Sequence, residues 1–263
     1  MERHFFLDHH HKSIYCVEYI PQNGNQIKTG VLICPPIWGE RIRTHRIFTN
    51  LGRELQKKNY YVLTCNYFGD GNSGGESYQL TFQSILDDLK ALYEYSFYNF
   101  NVEKNIVIGY RLGSNAVIPL LDKIKVSKAI LIDPLLNPLN YLKDVLRANL
   151  TSQFTRYKKI EKNRDELIKE IRANQLINVD GFLIGKEMWE SFENNSPIVC
   201  NKNFTGDVLI ISSEKKTMDE ISGFNRSFLN TRVEFIEKEV VVTSWKKYMQ
   251  RPPILFSKIF REI

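Results

Sequence analysis

Histidine disappears from this sequence after residue 45. All five, His4, His9, His10, His11 and His45, fall in the first 45 of 263 residues, so no imidazole from the later part of the chain can serve as a base. Cysteine is sparse: Cys16, Cys34, Cys65 and Cys200 lie too far apart for a C-x-x-C metal or redox motif, and three fall in or beside apolar strand-like runs, which suits buried free thiols. There is no Gly-x-x-x-x-Gly-Lys-Ser/Thr loop for nucleotide phosphates. No apolar run approaches the roughly 18 residues of a membrane span, and the opening MERHFFLDHHHKS has no apolar core of the kind that marks a secretory signal. These absences lead us to expect a cytoplasmic protein with no membrane span, metal or cofactor. Triplets such as Asn149-Leu150-Thr151 are then expected to stay unglycosylated.

Charge of one sign is not concentrated anywhere. The formal net charge is +6 and the pI about 9.0, but acids and bases are interleaved, as in RYKKIEKNRDELIKEIR (156–172), the pattern of a solvated helix face. A nucleic-acid partner, which calls for bases gathered on one face, is not expected. The DHHH run at 8–11 reads as a solvated N-terminal segment, since adjacent residues of an extended chain point to opposite sides. With 43% hydrophobic and 25% charged residues, the chain has the composition of one medium-sized globular domain, or of one with an insert.

Strand-like and helical patterns alternate, which indicates βαβ units and a mainly parallel sheet. A strand near 13–20, the turn PQNGNQ and the strand TGVLIC (29–34) read as a starting hairpin. A helix near 44–58, the strand YYVLTCN (60–66), a helix near 81–97, a strand from Asn105, and the strand KAILID (128–133) follow. From about 138 to 200 the pattern is helical, with no convincing strand, before DVLIIS (207–212) and TRVEFIE (231–237) resume the sheet and a helix closes it. An all-helical insert between parallel strands reads as a cap over their carboxyl ends, where such sheets bind ligands. The expected division is a core of 1–137 and 201–263 with a helical cap of 138–200.

One turn carries the functional question. The run Asn105-Ile106-Val107-Ile108 enters Gly109-Tyr110-Arg111-Leu112-Gly113, and a helical pattern leaves it. That is the frame of a nucleophile elbow, whose middle residue in the G-x-S-x-G version is a serine poised to attack a carbonyl. Here the middle residue is Arg111, which stays protonated and is no nucleophile.

The order of elements resembles the α/β-hydrolase superfamily with a helical cap after the sixth strand. CPPIWGERIRTHR (34–46) stands where that superfamily places a loop donating one oxyanion-hole amide. NYFGDGNSGG (66–75) resembles its D-x-x-G-x-G-S turn, with Asn66 in place of Asp. The combination of Pro-Pro before the first helix, Arg-Leu-Gly at the elbow, DPLLNPLNYLKDVLR (133–147) and VDGFLIGKEMWESF (179–192) resembles the hydrolase-like proteins encoded with exosortase systems, whose elbow also carries Arg-Leu-Gly. The resemblance covers most of the chain. It implies the fold strongly and the function weakly, because fold does not dictate function.

A Ser-His-Asp mechanism needs a base that takes the hydroxyl proton. The superfamily places that histidine near the chain end, where EKEVVVTSWKKY (237–248) stands instead. Ser114 is a neighbouring hydroxyl, and Glu214, Asp219 and Asp133 occupy strand ends where the triad acid belongs, as relic acids or as capping carboxylates. Two readings of Arg111 follow. In one, it grips a carboxylate, phosphate or sulfate group together with the amides of Ile37 or Trp38 and of Leu112. In the other, it is held internally by Glu40, Asp70 or Asp133, since an unpartnered buried guanidinium costs several kcal/mol. Tyr141, with Trp189, Phe192 and Trp245, lines the pocket or anchors the cap. Gly69-x-Gly71-x-x-Gly74 matches the dinucleotide pattern formally but opens no helix, and a Cys34–His45 couple requires the loop between them to fold back. A hydrolase-fold protein without the usual triad, binding an anionic or acyl small molecule or a partner, is the expected function. An esterase, thioesterase or acyltransferase with a non-standard site is the alternative.

Overall fold

A computed structural model describes residues 1–22, 28–100, 102–135, 137–196, 204–212, 230–235 and 253–263. The elements are β1 (Glu2–His9), β2 (Lys12–Tyr19), β3 (Thr29–Cys34), α1 (Trp38–Lys57), β4 (Tyr61–Cys65), α2 (Phe82–Phe100), β5 (Lys104–Tyr110), α3 (Leu112–Val117), β6 (Lys128–Ile132), α4 (Pro138–Tyr157), α5 (Arg164–Arg172), β7 (Ile177–Val179), β8 (Phe182–Ile184), α6 (Lys186–Asn194), β9 (Asp207–Ser212), β10 (Asn230–Phe235) and α7 (Pro253–Glu262). Eight strands form one sheet in the order β1-β2-β4-β3-β5-β6-β9-β10. β1, β2 and β4 pair antiparallel, and every other neighbouring pair is parallel.

The central strands are apolar on both sides because helices cover both faces. In β5, Ile106, Ile108 and Tyr110 join a cluster with Ile47, Leu51 and Leu55 of α1, while Val107 turns to the face covered by α2 and α3, among Leu89, Leu92 and Ala116. Period-two alternation thus feeds two cores from one strand.

α1 buries Thr44, Ile47, Phe48, Leu51 and Leu55 at helical spacing. It begins six residues before the expected start, at Trp38, because Ile42 in its opening WGERIR is exposed and so does not extend the buried stripe toward Trp38. Pro35-Pro36 ahead of it keeps the preceding chain extended.

Two expectations need correction. β2 does not pair with β3: its partners are β1 and β4, and β4 separates it from β3. The starting hairpin is β1–β2 instead, and the histidine run is its turn. His10 and His11 have φ of 49° and 61°, the pair of positive φ values that a two-residue hairpin turn demands. β1 escapes a pattern reading because it is an edge strand of mixed polarity, with no residue fully buried. The 138–200 stretch also holds a strand pair, β7–β8, joined at Asp180-Gly181. No helix of the described residues is long and apolar enough to cross a membrane. Cys16, Cys34 and Cys65 are buried free thiols, and Cys200 lies outside the described residues.

Asp88, fully buried on α2, accepts the Phe68 N–H at 2.7 Å and so fastens the turn after β4 to that helix. Burial pushes its carboxyl up to about 7, although the Phe68 N–H and Lys12 pull the other way. An acid with a raised folded pKa keeps a proton that the unfolded chain, at about 3.9, gives up. Stability therefore falls as pH rises between about 4 and about 7, and the loss is complete above that window. Asp88→Asn should abolish this slope and exceed the parent at alkaline pH by on the order of 4 kcal/mol, measured by urea unfolding across the window. An unchanged slope would place the titration elsewhere.

Candidate functional site

Steric constraint builds the elbow. β5 runs between β3 and β6, and α3 must turn back immediately onto the carboxyl end of β3. A Cβ on Gly113 would strike the Cys34 carbonyl and lie 2.6 Å from the Pro35 carbonyl oxygen, and one on Gly109 would lie 2.5 Å from Ser114 Cα. Both positions therefore admit only glycine. Between them Arg111 is held at φ 52°, ψ −119°, a region that costs a non-glycine residue about 1–3 kcal/mol. Its N–H donates to the Ile132 carbonyl at 2.9 Å, which ties the crest of the turn to β6.

Three non-glycine residues of positive φ stand at the carboxyl ends of neighbouring parallel strands: Trp38 after β3 (53°), Arg111 after β5 (52°) and Asp133 after β6 (45°). Strain of this kind concentrates where a fold holds a site.

The guanidinium of Arg111 meets the first turn of α1. Its Nε donates to Glu40 Oε1 at 3.0 Å, with side chains 28% and 17% exposed. Burial works against the charge, but the Glu40 carboxylate, with lesser help from Tyr110 and Asp133, outweighs it and holds the arginine pKa above its ordinary value. Asp70, the second acid considered as partner, instead accepts Arg41 Nε at 2.8 Å and a long 3.4 Å bond from the Trp38 N–H. Burial pushes the Asp70 carboxyl up, and Arg41 opposes the shift. Glu40 Oε2 is buried and has no hydrogen-bond partner among the described residues.

A pocket of about 240 Å³ lies over this pair. Trp38, Glu40, Arg43 and Arg111 form one wall; Tyr141, Asp144, Val145 and Ala148 of α4 and Val179, Asp180 and Phe182 of the β7–β8 hairpin form the other. Trp38 stacks on Phe182 with centroids 5.2 Å apart, and the Tyr141 hydroxyl donates to the Ile37 carbonyl at 3.4 Å. Burial, reinforced by Glu40 and Asp70, keeps that phenol protonated.

The expected site residues divide. Arg111, Trp38, Glu40 and Tyr141 line the pocket. Ile37 and Leu112 are fully buried and off the pocket lining, and Asp133 is buried off the lining with its N–H donating to the Ile211 carbonyl at 2.8 Å. Ser114 is inaccessible: its hydroxyl accepts the Ile132 N–H and donates to the Ile132 carbonyl, both at 3.1 Å. Trp189 and Phe192 are packing anchors of α6, Phe192 edge-on to Phe82 of α2. Trp245, Glu214 and Asp219 lie outside the described residues. Cys34 is sealed in the core, where burial raises its thiol pKa, and no hydrogen bond joins it to His45, which is exposed on α1. The 66–75 turn, with Gly69, Gly71 and Gly75 at positive φ, closes on itself through Gly69 N–H to the Gly74 carbonyl at 2.8 Å rather than opening a helix. Among the described residues no group of three or more His, Cys, Asp or Glu side chains can hold a metal ion.

Arg43, Asp144, Val145, Ala148, Asp180 and Phe182 were not singled out. Tyr141, Asp144, Val145 and Ala148 follow the i, i+3, i+4, i+7 spacing of one helix face, a signal legible once Tyr141 is chosen. Asp180-Gly181 is a two-residue hairpin signature that lies within a stretch of helical pattern.

No family model matches the chain, and no curated protein does. Solved structures do. The chain is similar to Est1E from Butyrivibrio proteoclasticus with ferulic acid bound (13% identity, 98% of this chain and 97% of that one, TM-score 0.71). It is also similar to an alpha-beta serine hydrolase homologue from Coxiella burnetii (13%, 99% and 97%, 0.60) and to the Pyrococcus furiosus esterase Pf2001 (14%, 99% and 88%, 0.63). At such identities the likeness establishes the fold alone: the chain has the α/β-hydrolase fold.

Gly113→Ala should cost about 3 kcal/mol, since the neighbour it strikes is backbone, measured by chemical denaturation; a loss under half that would mean that α3 can shift. A double-mutant cycle on Arg111→Ala and Glu40→Ala should return a favourable coupling of about 1–2 kcal/mol. Additive losses would mean that the two groups do not pair in solution.

Proposed function

We propose that this chain is a hydrolase-fold protein without the serine-hydrolase mechanism, in which a helical cap of 138–200 covers a core of 1–137 and 201–263 and the pocket between them binds a small carboxylate or acyl molecule at Arg111. The observation that carries the reading is Arg111 itself: a permanent cation stands at the strained elbow position, paired by one edge to Glu40 on the pocket wall. Glu40 uses one of the five N–H donors of the guanidinium, and the remaining fork suits a carboxylate. No histidine follows residue 45, and the neighbouring Ser114 is turned into the sheet. The volume, about 240 Å³, lies below the roughly 300–1,000 Å³ of drug-sized sites. Trp38, Phe182 and Val145 offer an apolar surface for the body of a small ligand.

A second reading is favoured by one observation, the unpartnered Oε2 of Glu40. A free carboxylate oxygen beside a cation is the equipment of a general base, which points to an esterase, thioesterase or acyltransferase that activates water or an acceptor alcohol.

Ferulate, the acid bound in the Butyrivibrio structure, is a suitable first probe. Calorimetry should detect binding that weakens at least tenfold in Arg111→Gln, while methyl ferulate is not turned over and a fluorophosphonate probe labels no serine. Ester turnover lost in Glu40→Gln would establish the second reading, and labelling of a pocket serine would overturn both.

A further inference from the structure

A second and larger cleft, of about 470 Å³, lies between the antiparallel edge of the sheet and the side of α1 turned away from Arg111. Successive residues of one helical turn serve the two cavities: Glu40 faces Arg111, whereas Arg41 and Ile42 face the cleft. Arg41, His45, Thr49 and Arg53 recur every fourth residue, which makes them one ridge of α1, and all four line the cleft. Opposite them stand Glu2 and His4 of β1, two residues apart and so on one face of the strand.

The acids that meet these bases do not use all of their donors. Glu2 is committed to Arg53 through both oxygens, at 2.8 and 3.2 Å, and lies 3.3 Å from His4. Asp70 holds Arg41 from its buried side and is not part of the cleft wall. His45 stands beside two arginines: partial burial, and then Arg41 and Arg53, lower its affinity for a proton. Ile42, 57% exposed, offers an aliphatic surface at the same cleft, where Tyr15 and Phe48 extend the apolar wall. Asp70 takes only the Nε of Arg41, and Glu2 takes the Nε and one terminal nitrogen of Arg53, so guanidinium N–H donors are left over beside His45 and an apolar wall, an arrangement complementary to a ligand that carries a negative charge on an apolar body.

We propose that this cleft is a second ligand site, which takes a small organic anion, its carboxylate or phosphate held by His45, Arg41 and Arg53 and its apolar body laid on Ile42, Phe48 and Tyr15. The assignment is independent of what the pocket over Arg111 binds. It gives a role to His45, which does not serve the elbow.

The test uses the full chain with phenyl phosphate and benzoate as probes, and phenol and inorganic phosphate as controls, followed by NMR of the His45 imidazole and by calorimetry. At least one of the two organic anions should shift the imidazole resonance saturably and raise its pKa, and the tighter of the two identifies the charged group. Phenol should leave it unmoved, and inorganic phosphate, which has no apolar body, should bind about tenfold more weakly. His45→Ala should weaken calorimetric binding about tenfold, and Ile42→Asp, which sets an acid in the cleft, should do so at least as strongly. Both positions are exposed, so the unfolding midpoint of each variant should stay near the parent's. Ala148→Trp, which fills the pocket over Arg111, should leave the response intact. No saturable response to either anion at millimolar concentration, an equal response to phenol, or loss of the response in Ala148→Trp would overturn the proposal.

Discussion

The half-buried pair of Arg111 and Glu40 governs the middle of this molecule. A guanidinium at the crest of a parallel sheet is tolerable only if a carboxylate meets it, because desolvation otherwise costs several kcal/mol. That requirement explains why α1 begins where it does. Pro35-Pro36 ends the extended chain after β3, the helix starts at Trp38, and Glu40 arrives in its first turn at 3.0 Å from Arg111 Nε. A helix starting near 44, as its apolar period suggests, would leave the arginine unanswered.

The same turn of α1 organises two cavities of different character. On one side Trp38 and Glu40 share a wall with Arg111 beneath α4 and the β7–β8 hairpin; on the other, Arg41 opens the ridge that runs to Arg53. Asp70 stands between them, accepting from the Trp38 N–H and from Arg41. The strained φ values of Trp38, Arg111 and Asp133 persist because the strands behind them are hydrogen-bonded on both edges, and the surrounding structure over-determines these turns.

Much of the fold was legible because a parallel sheet buried on both faces writes itself as short β-branched runs between helical periods. β3, β4, β5, β6 and β9 fell close to their expected places for that reason. β1 was missed because an edge strand need not alternate cleanly, and the β7–β8 pair because three-residue strands are shorter than any periodic signal. Of the site, Arg111, Trp38, Glu40 and Tyr141 were legible because motif spacing places the elbow and the loop after β3 at one end of the sheet. Arg43, Asp144 and Phe182 were not, because their relation to the elbow runs through packing between distant segments.

What the sequence alone determined is chemical: the elbow residue is a cation, no histidine follows residue 45, and glycines frame the turn at 109 and 113. These follow from residue identity, which no conformation alters. Which acid answers Arg111 was open among Glu40, Asp70 and Asp133, and only the tertiary structure chose. Glu40 and Arg41 are adjacent in the first turn of α1, yet one reaches Arg111 and the other Asp70, a matter of helix phase and strand order that segments distant in the chain decide together.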